Sequence, residues 1–312
     1  GGRRDHERPL AKLSPRELKF AGTQLRAGCT SLAHPFSTMQ SMYPVPTSLS
    51  PSRVESFLSC PLAFRFVNID LLPEPPAPHS TKGSLVHRAL ELLFASPAAE
   101  RTREAGAAAL ATAIDEYRQL HDFTGLNLSA KEADQFFADA GALVDGYFAM
   151  EDPTTITDIG LELRLQANIG ELTLRGIIDR LERHPDGGLV VTDYKTGRTP
   201  GPRFQQDKMA GVHFYAFLCQ EVYGERPVEV RLMYLRSGDV IKATPTAQSV
   251  RFLATRTTAV WNAVRAATEA DNFQPKTGPL CKSCNFRDWC PAFGGDPAKA
   301  LVEAPARYGA NT

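Results

Sequence analysis

Between residues 161 and 194 the apolar positions fall on every second residue, the repeat of a strand with one buried face. Leu161, Leu163, Leu165, Ala167 and Ile169 alternate with polar neighbours, Leu172 to Leu181 continues the pattern, and Leu189 to Tyr194 closes it. Turn residues at Ile169-Gly170-Glu171 and at Pro185-Asp186-Gly187-Gly188 join the three runs into a meander.

On both sides of the meander the spacing becomes helical. Ser50-Pro51 supplies a cap and a first-turn proline for a short helix through Val54, Phe57 and Leu58 that stops at Cys60-Pro61. After the proline-rich turn from Pro73 to Pro78, Val86, Leu90 and Leu93 give the stretch from Gly83 to Phe94 a helical face. That helix carries His87, with Glu91 four residues on and on the same face. Alanine-rich stretches over 98–120 and 130–150 predict two more helices, an inserted or lid-like layer over 98–150. Downstream the pattern predicts a helix over 206–222, strands over 228–235 and near Val240, and a long helix over 246–270. The whole is an α/β arrangement, helices around a central mixed sheet, with an ordered domain over 48–297. Residues 1–47 and 298–312 have no sustained apolar period and are expected to be a flexible extension and a flexible tail.

At 312 residues and 43% hydrophobic content the chain can bury one large core or two modest ones. No apolar run approaches the roughly 20 residues of a membrane-spanning helix, which makes the cytoplasm the expected compartment and excludes a membrane partner. In that reducing setting six cysteines argue for metal or cluster ligands rather than disulfides. The formal net charge is zero, but its distribution is uneven. Residues 195–265 hold eleven Lys/Arg against five Asp/Glu, and residues 97–160 hold four against twelve. A basic C-terminal half beside an acidic helical segment suits a protein with one face along phosphates.

Two constellations carry chemistry. Asp179 ends one strand of the meander and Asp193 its hairpin neighbour, so the intervening turn can bring both carboxylates to one sheet edge. Lys195, two residues past Asp193, shares its face. Two carboxylates suit a hard divalent cation such as Mg2+ or Mn2+, and the ammonium can orient a water or stabilise charge on a phosphate. His87 adds a nitrogen donor. The second constellation is Cys60 with Cys281, Cys284 and Cys290, one remote and three local thiols; Cys29 and Cys219 stand outside it. Four thiolates accept either zinc or an iron–sulfur cluster.

The stretches SRVESFLSCPLAFRF (52–66), GSLVHRALE (83–91), GIID (176–179), TDYKTG (192–197) and CKSCNFRDWCPAF (281–293) together resemble the RecB-type PD-(D/E)xK exonucleases that carry an iron–sulfur cluster. That group is similar to AddB-type C-terminal nuclease domains and to CRISPR-adaptation nucleases. The resemblance implies a restriction-endonuclease-like core whose N- and C-terminal regions are stapled by a [4Fe–4S] cluster on Cys60, Cys281, Cys284 and Cys290. It implies Mg2+ or Mn2+ on His87, Asp179 and Asp193, with the Tyr194 carbonyl as a further ligand, and Lys195 as the catalytic lysine. Tyr215 joins the catalytic set. The implied activity is metal-dependent hydrolysis of DNA, single-stranded or at duplex ends, in repair, with a helicase as an admissible partner. The alternative is a DNA-binding module of the same fold with weak or no turnover. One departure favours that alternative: the family places Gln four residues before the tyrosine, and here Gly211 stands there. Gln205 and Gln206 lie off the Tyr215 face, whereas Lys208 shares it.

Overall fold

The computed structural model describes residues 44–309, and along 202–210 it describes the backbone alone. Residues 1–43 of the expected extension, Cys29, the side chains of Gln205, Gln206 and Lys208, and residues 310–312 therefore lie outside the description.

Among the described residues, six strands form one mixed sheet: β1 (Ser48–Leu49), β2 (Thr157–Ile169), β3 (Leu172–Arg183), β4 (Leu189–Lys195), β5 (Glu229–Tyr234) and β6 (Asp239–Ala243). The meander is β2–β3–β4, antiparallel throughout, and β5 lies parallel to β4 with β6 antiparallel beyond it. A parallel pair needs a crossover, supplied by the helix Pro202–Tyr223 between β4 and β5. The long strand β3 has β2 along one edge and shares its other edge between β1, at Thr173 and Leu174, and β4, from Arg180 to Arg183. That shared edge opens a fork between residues 174 and 180.

The helices, in chain order, are α1 (Pro51–Ser59), α2 (Pro61–Asn68), α3 (Pro78–Ala95), α4 (Arg103–Tyr117), α5 (His121–Thr124), α6 (Ala130–Met150), α7 (Pro202–Tyr223), α8 (Ala247–Glu269) and α9 (Pro297–Tyr308). Cys60 is the joint between α1 and α2: its extended backbone breaks the helix, and Pro61 restarts it at a position where no amide donor is needed. One core gathers α1, α2, α7 and α8 with Leu174, Leu181, Val191 and Leu232 of the sheet. The other gathers α3, α4 and α6 with Tyr194, Met233 and Leu235.

Two expectations are corrected. The alanine-rich layer is not a lid. Leu110, Ala113, Phe136, Ala140, Leu143 and Tyr147 are buried in the second core, because the apolar stripes of α4 and α6 have α3 and that sheet face to pack on. Nor is 298–312 a loose tail up to Tyr308. Asp296 caps α9 through the Ala298 amide at 3.0 Å, Ala300 and Ala304 are fully buried, and Trp289 Nε1 donates to Glu303 at 2.7 Å. Small residues four apart gave little apolar signal in sequence yet let the helix sit close to its neighbours.

Candidate active site

The β3–β4 ladder ends at the pair Arg180 and Thr192, so Asp179 and Asp193 are the next residues outward, at the mouth of the fork. There the ladder hydrogen bond is replaced by a side chain: the Tyr194 backbone N–H donates to Asp179 Oδ2 at 2.7 Å. On the other edge of β3, Leu161 pairs with Arg180 and Leu163 with Ile178, which sets Glu162 directly opposite Asp179. Three acids, Glu162, Asp179 and Asp193, thus stand in one row across three strands. Glu162 has φ 43°, a left-handed conformation that a β-strand rarely admits outside glycine. Strain of this kind persists only where its surroundings impose it.

His87 reaches the row from α3. Its Nε2–H donates to the Tyr194 carbonyl at 3.0 Å, which turns Nδ1 toward Asp179 Oδ1 at 3.6 Å and Glu162 Oε1 at 3.7 Å. Burial pushes this imidazole toward neutrality, but the adjoining Glu162, Asp179 and Asp193 carboxylates outweigh it and raise its pKa to about 9. Burial and the Asp193 charge raise Asp179 to about 7, against the opposing pull of His87 and the Tyr194 amide. Lys195 Nζ lies 2.5 Å from Asp193 Oδ2. Burial acts against the ammonium, and the Asp193 charge more than compensates, so its pKa lies above the usual lysine value. Tyr215 Oη donates to Asp193 Oδ1 at 3.4 Å. Gly176 permits this approach, since a Cβ there would come within 2.8 Å of Leu218 Cδ1 and 3.4 Å of Tyr215 Cε1.

The donor set tests the case for a divalent cation. One ligand atom each from His87, Glu162 and Asp179 lie within 4.8 Å of one another, a spacing that one ion can bridge. The carboxylate oxygens suit Mg2+ or Mn2+, and a cation would offset the cost of crowding Glu162 and Asp179 beside the buried Asp193. Asp193 is not in that trio, because Lys195 and Tyr215 hold its two oxygens. The residue that sequence reasoning missed is Glu162: alternation marked it only as a polar position between Leu161 and Leu163. Glu91, expected on the His87 face, instead pairs with Arg88 at 2.8 Å.

Beneath the row, Arg180 is fully buried and ion-paired to Glu151 at 2.5 Å and Glu182 at 2.6 Å. It also donates to the Tyr194 hydroxyl at 2.7 Å. This network fixes the residue whose amide and carbonyl hold Asp179 and His87. The acids, Lys195 and Tyr215 line a cleft of about 1120 Å3, along with Gly211 of α7. A Cβ at Gly211 would meet nothing within 4 Å.

Away from the acid row, Cys284 lies near enough to Cys60, Cys281 and Cys290 to feel each of them electrostatically. The Lys276 amide donates to Cys60 Sγ at 3.4 Å and the Gly278 amide to Cys281 Sγ at 3.3 Å. Cys60, Cys284 and Cys290 pack against the first core beside Phe286 and Trp289. Burial raises the Cys284 thiol pKa, and Cys60, Cys281 and Cys290 add to the rise against the pull of the Phe286 amide.

An acid row beside a paired lysine, in an open cleft, suits metal-assisted chemistry on a phosphate. The chain belongs to the PD-(D/E)XK nuclease superfamily, whose family profile matches residues 48–291. It is similar to the Gene 69 protein of Mycobacterium phage D29, 24% identical over 270 residues that cover 78% of this chain and 96% of the relative. It is also similar to the Gene 69 protein of Mycobacterium phage L5, 31% identical over 136 residues, 43% of this chain and 44% of that one. The solved structure of SSO0001 aligns over 79% of this chain and 86% of that chain at 15% identity, with a TM-score of 0.35. No described helix is long and apolar enough to cross a membrane.

Proposed function

We propose that this chain is a metal-dependent deoxyribonuclease of the RecB type, an exonuclease acting on DNA single strands or duplex ends in repair and recombination. The observation that carries the reading is the Asp193–Lys195 ion pair set beside the row of Asp179, Glu162 and His87 in an open cleft. His87, Asp179 and Glu162 would hold Mg2+ or Mn2+, and Asp193, expected from the sequence as a third ligand with His87 and Asp179, would stand beside them with its oxygens turned to Lys195 and Tyr215. Such an ion polarises a phosphate and makes bound water a nucleophile near neutral pH.

The chain's own groups do the rest. Lys195 presents a fixed ammonium to water or to the charge growing on a phosphate, and Asp193 keeps it protonated and aimed. Tyr215 holds the second Asp193 oxygen, so the carboxylate cannot swing away from the lysine.

In the same proposal Cys60, Cys281, Cys284 and Cys290 carry a [4Fe–4S] cluster. In support, one remote thiol and three local ones depart from the paired C-x2-C knuckles of common zinc modules. The amides on Cys60 and Cys281 are suited to the charge of such a cluster. A cytoplasmic site of action and a helicase partner belong to this reading as well.

The second reading, a DNA-binding module with little turnover, draws on Gly211, which leaves open space where the family's glutamine would reach. Incubating end-labelled single- and double-stranded DNA with Mg2+, Mn2+ or EDTA separates the two. Metal-dependent degradation that disappears in Lys195→Ala supports the nuclease. DNA binding without cleavage under all three conditions would leave only the module.

A further inference from the structure

Beyond the acid row, the β2–β3 hairpin carries two more cross-strand rows on the same outward face. Arg164 stands opposite Ile177, and Gln166 opposite Arg175. All four residues line the cleft that holds Glu162 and Asp179. Alternate residues share a face at about 7 Å per step, so the rows succeed one another away from the acids at that interval.

Arg164 and Arg175 are diagonal neighbours, a relation that puts Cβ atoms about 7–8 Å apart. Both are exposed, and no ion pair among the described residues engages either. Arginines elsewhere in the fold, such as Arg65, Arg88, Arg101 and Arg183, are paired with acids. Ile177, 41% exposed, stands opposite Arg164 and between Arg175 and Asp179 on β3. Two like charges without a counter-ion and an apolar side chain in water are both unfavourable in the free protein. A ligand that offers anions at a regular repeat, with flat apolar surface between them, relieves both.

We infer that the outward face of the β2–β3 hairpin is a track for one DNA strand, which runs from the acid row past Arg164 and Arg175 with Ile177 against a sugar or base. Diagonal positions about 7–8 Å apart at Cβ place the two arginines within reach of neighbouring phosphates on one strand, without a second basic row for the other strand of a duplex. The inference rests on the nuclease reading for where cleavage falls, but the track itself requires only binding.

The test is fluorescence anisotropy in EDTA, with a short labelled single strand and a blunt duplex of equal length, between about 50 and 200 mM salt. Wild-type protein is compared with the double variant Arg164→Ala/Arg175→Ala and with Arg251→Ala, which removes an exposed arginine of α8 away from the cleft. For a single strand, each phosphate that no longer meets an arginine reduces the slope of log K against log salt by about 0.7, so the double variant should be shallower by about 1.4. Arg251→Ala should match wild type, and the duplex should bind more weakly than the single strand. An unchanged slope in the double variant, equal shallowing in Arg251→Ala, or tighter duplex binding overturns the track. Wild-type protein that cleaves with Mn2+ while the double variant keeps its slope sinks the track alone. The predicted slopes without cleavage under any metal sink the nuclease reading alone.

Discussion

Glu162 and Asp179 face each other across adjacent antiparallel strands, two acids in the position where cross-strand partners normally attract. Like charges so placed destabilise a sheet, and Glu162 holds its place in a left-handed backbone conformation besides. A cation held by these two acids and His87 would offset the repulsion. Glu162→Gln keeps the shape and removes one charge. Isothermal titration with Mn2+ should give at least roughly tenfold weaker binding, while the metal-free variant melts no lower than wild type. Unaltered Mn2+ affinity would remove Glu162 from the metal site.

Protons compete with the metal for this cluster. His87 is raised from 6.5 to about 9 and Asp179 from 3.8 to about 7. Both folded values exceed the unfolded ones, so the native metal-free state binds more protons than the unfolded chain, and its stability falls as pH rises. The loss from Asp179 runs from about pH 4 through 7, and that from His87 from about 6.5 through 9. Thermal melts in EDTA should therefore fall between pH 6 and 9. Saturating Mg2+, which binds the deprotonated ligands, should flatten or reverse that trend. A melting temperature in EDTA that rises over the same range would contradict the protonated cluster.

Much of this site is legible in the sequence, and the rest is hidden for physical reasons. Asp193 and Lys195 are two apart on one strand, so local periodicity alone places them together. Asp179 joins them through a single hairpin register. Glu162 depends on a second register and on an irregular backbone, neither of which hydrophobic alternation encodes. The basic rim is legible only in part. Charge counts point to residues 195–265, from which Lys195 and Arg198 line the cleft, and Arg164 and Arg175 join them from the meander. Net charge along a chain says nothing about which face a hairpin turns inward. The alanine-rich stripe of the α4–α6 layer is weakly apolar, and its packing against α3, Met233 and Leu235, which makes it part of the second core, is not legible in the sequence.

Gly211 gives a prediction of opposite sign to the usual active-site substitution. It lies within α7, where glycine costs about 0.5–1 kcal/mol relative to alanine, and its Cβ direction is open cleft. Gly211→Gln should raise the melting temperature by a few degrees and place an amide beside Tyr215, four residues on. Single-strand degradation with Mn2+ should increase. Stabilisation without any gain in rate would mean that the open space is neutral to turnover, and a lower melting temperature would contradict the free volume at this position.

The proposed cysteine cage would tie Cys60, at the joint of α1 and α2, to a segment more than two hundred residues later. Around it, Lys276 Nζ donates to the Leu58 carbonyl at 2.8 Å, Phe66 packs on Phe286 with ring centroids 5.1 Å apart, and Tyr308 Oη donates to the Asn285 carbonyl at 2.8 Å. These contacts can dock the C-terminal segment, and burial with the nearby Cys60, Cys281 and Cys290 thiols raises the Cys284 pKa, so its thiolate is costly without a metal centre. A bound cluster or metal holds them as thiolates and closes a long loop, so its removal should be felt across the first core rather than at one end. Cys284→Ala should lose the visible absorbance of an iron–sulfur protein and melt substantially lower. Hydrogen exchange should accelerate in α1, α2 and α9 while α4 and α6, in the second core, stay protected. A Cys284→Ala protein that keeps wild-type stability and exchange would show that the docking contacts suffice without the cage.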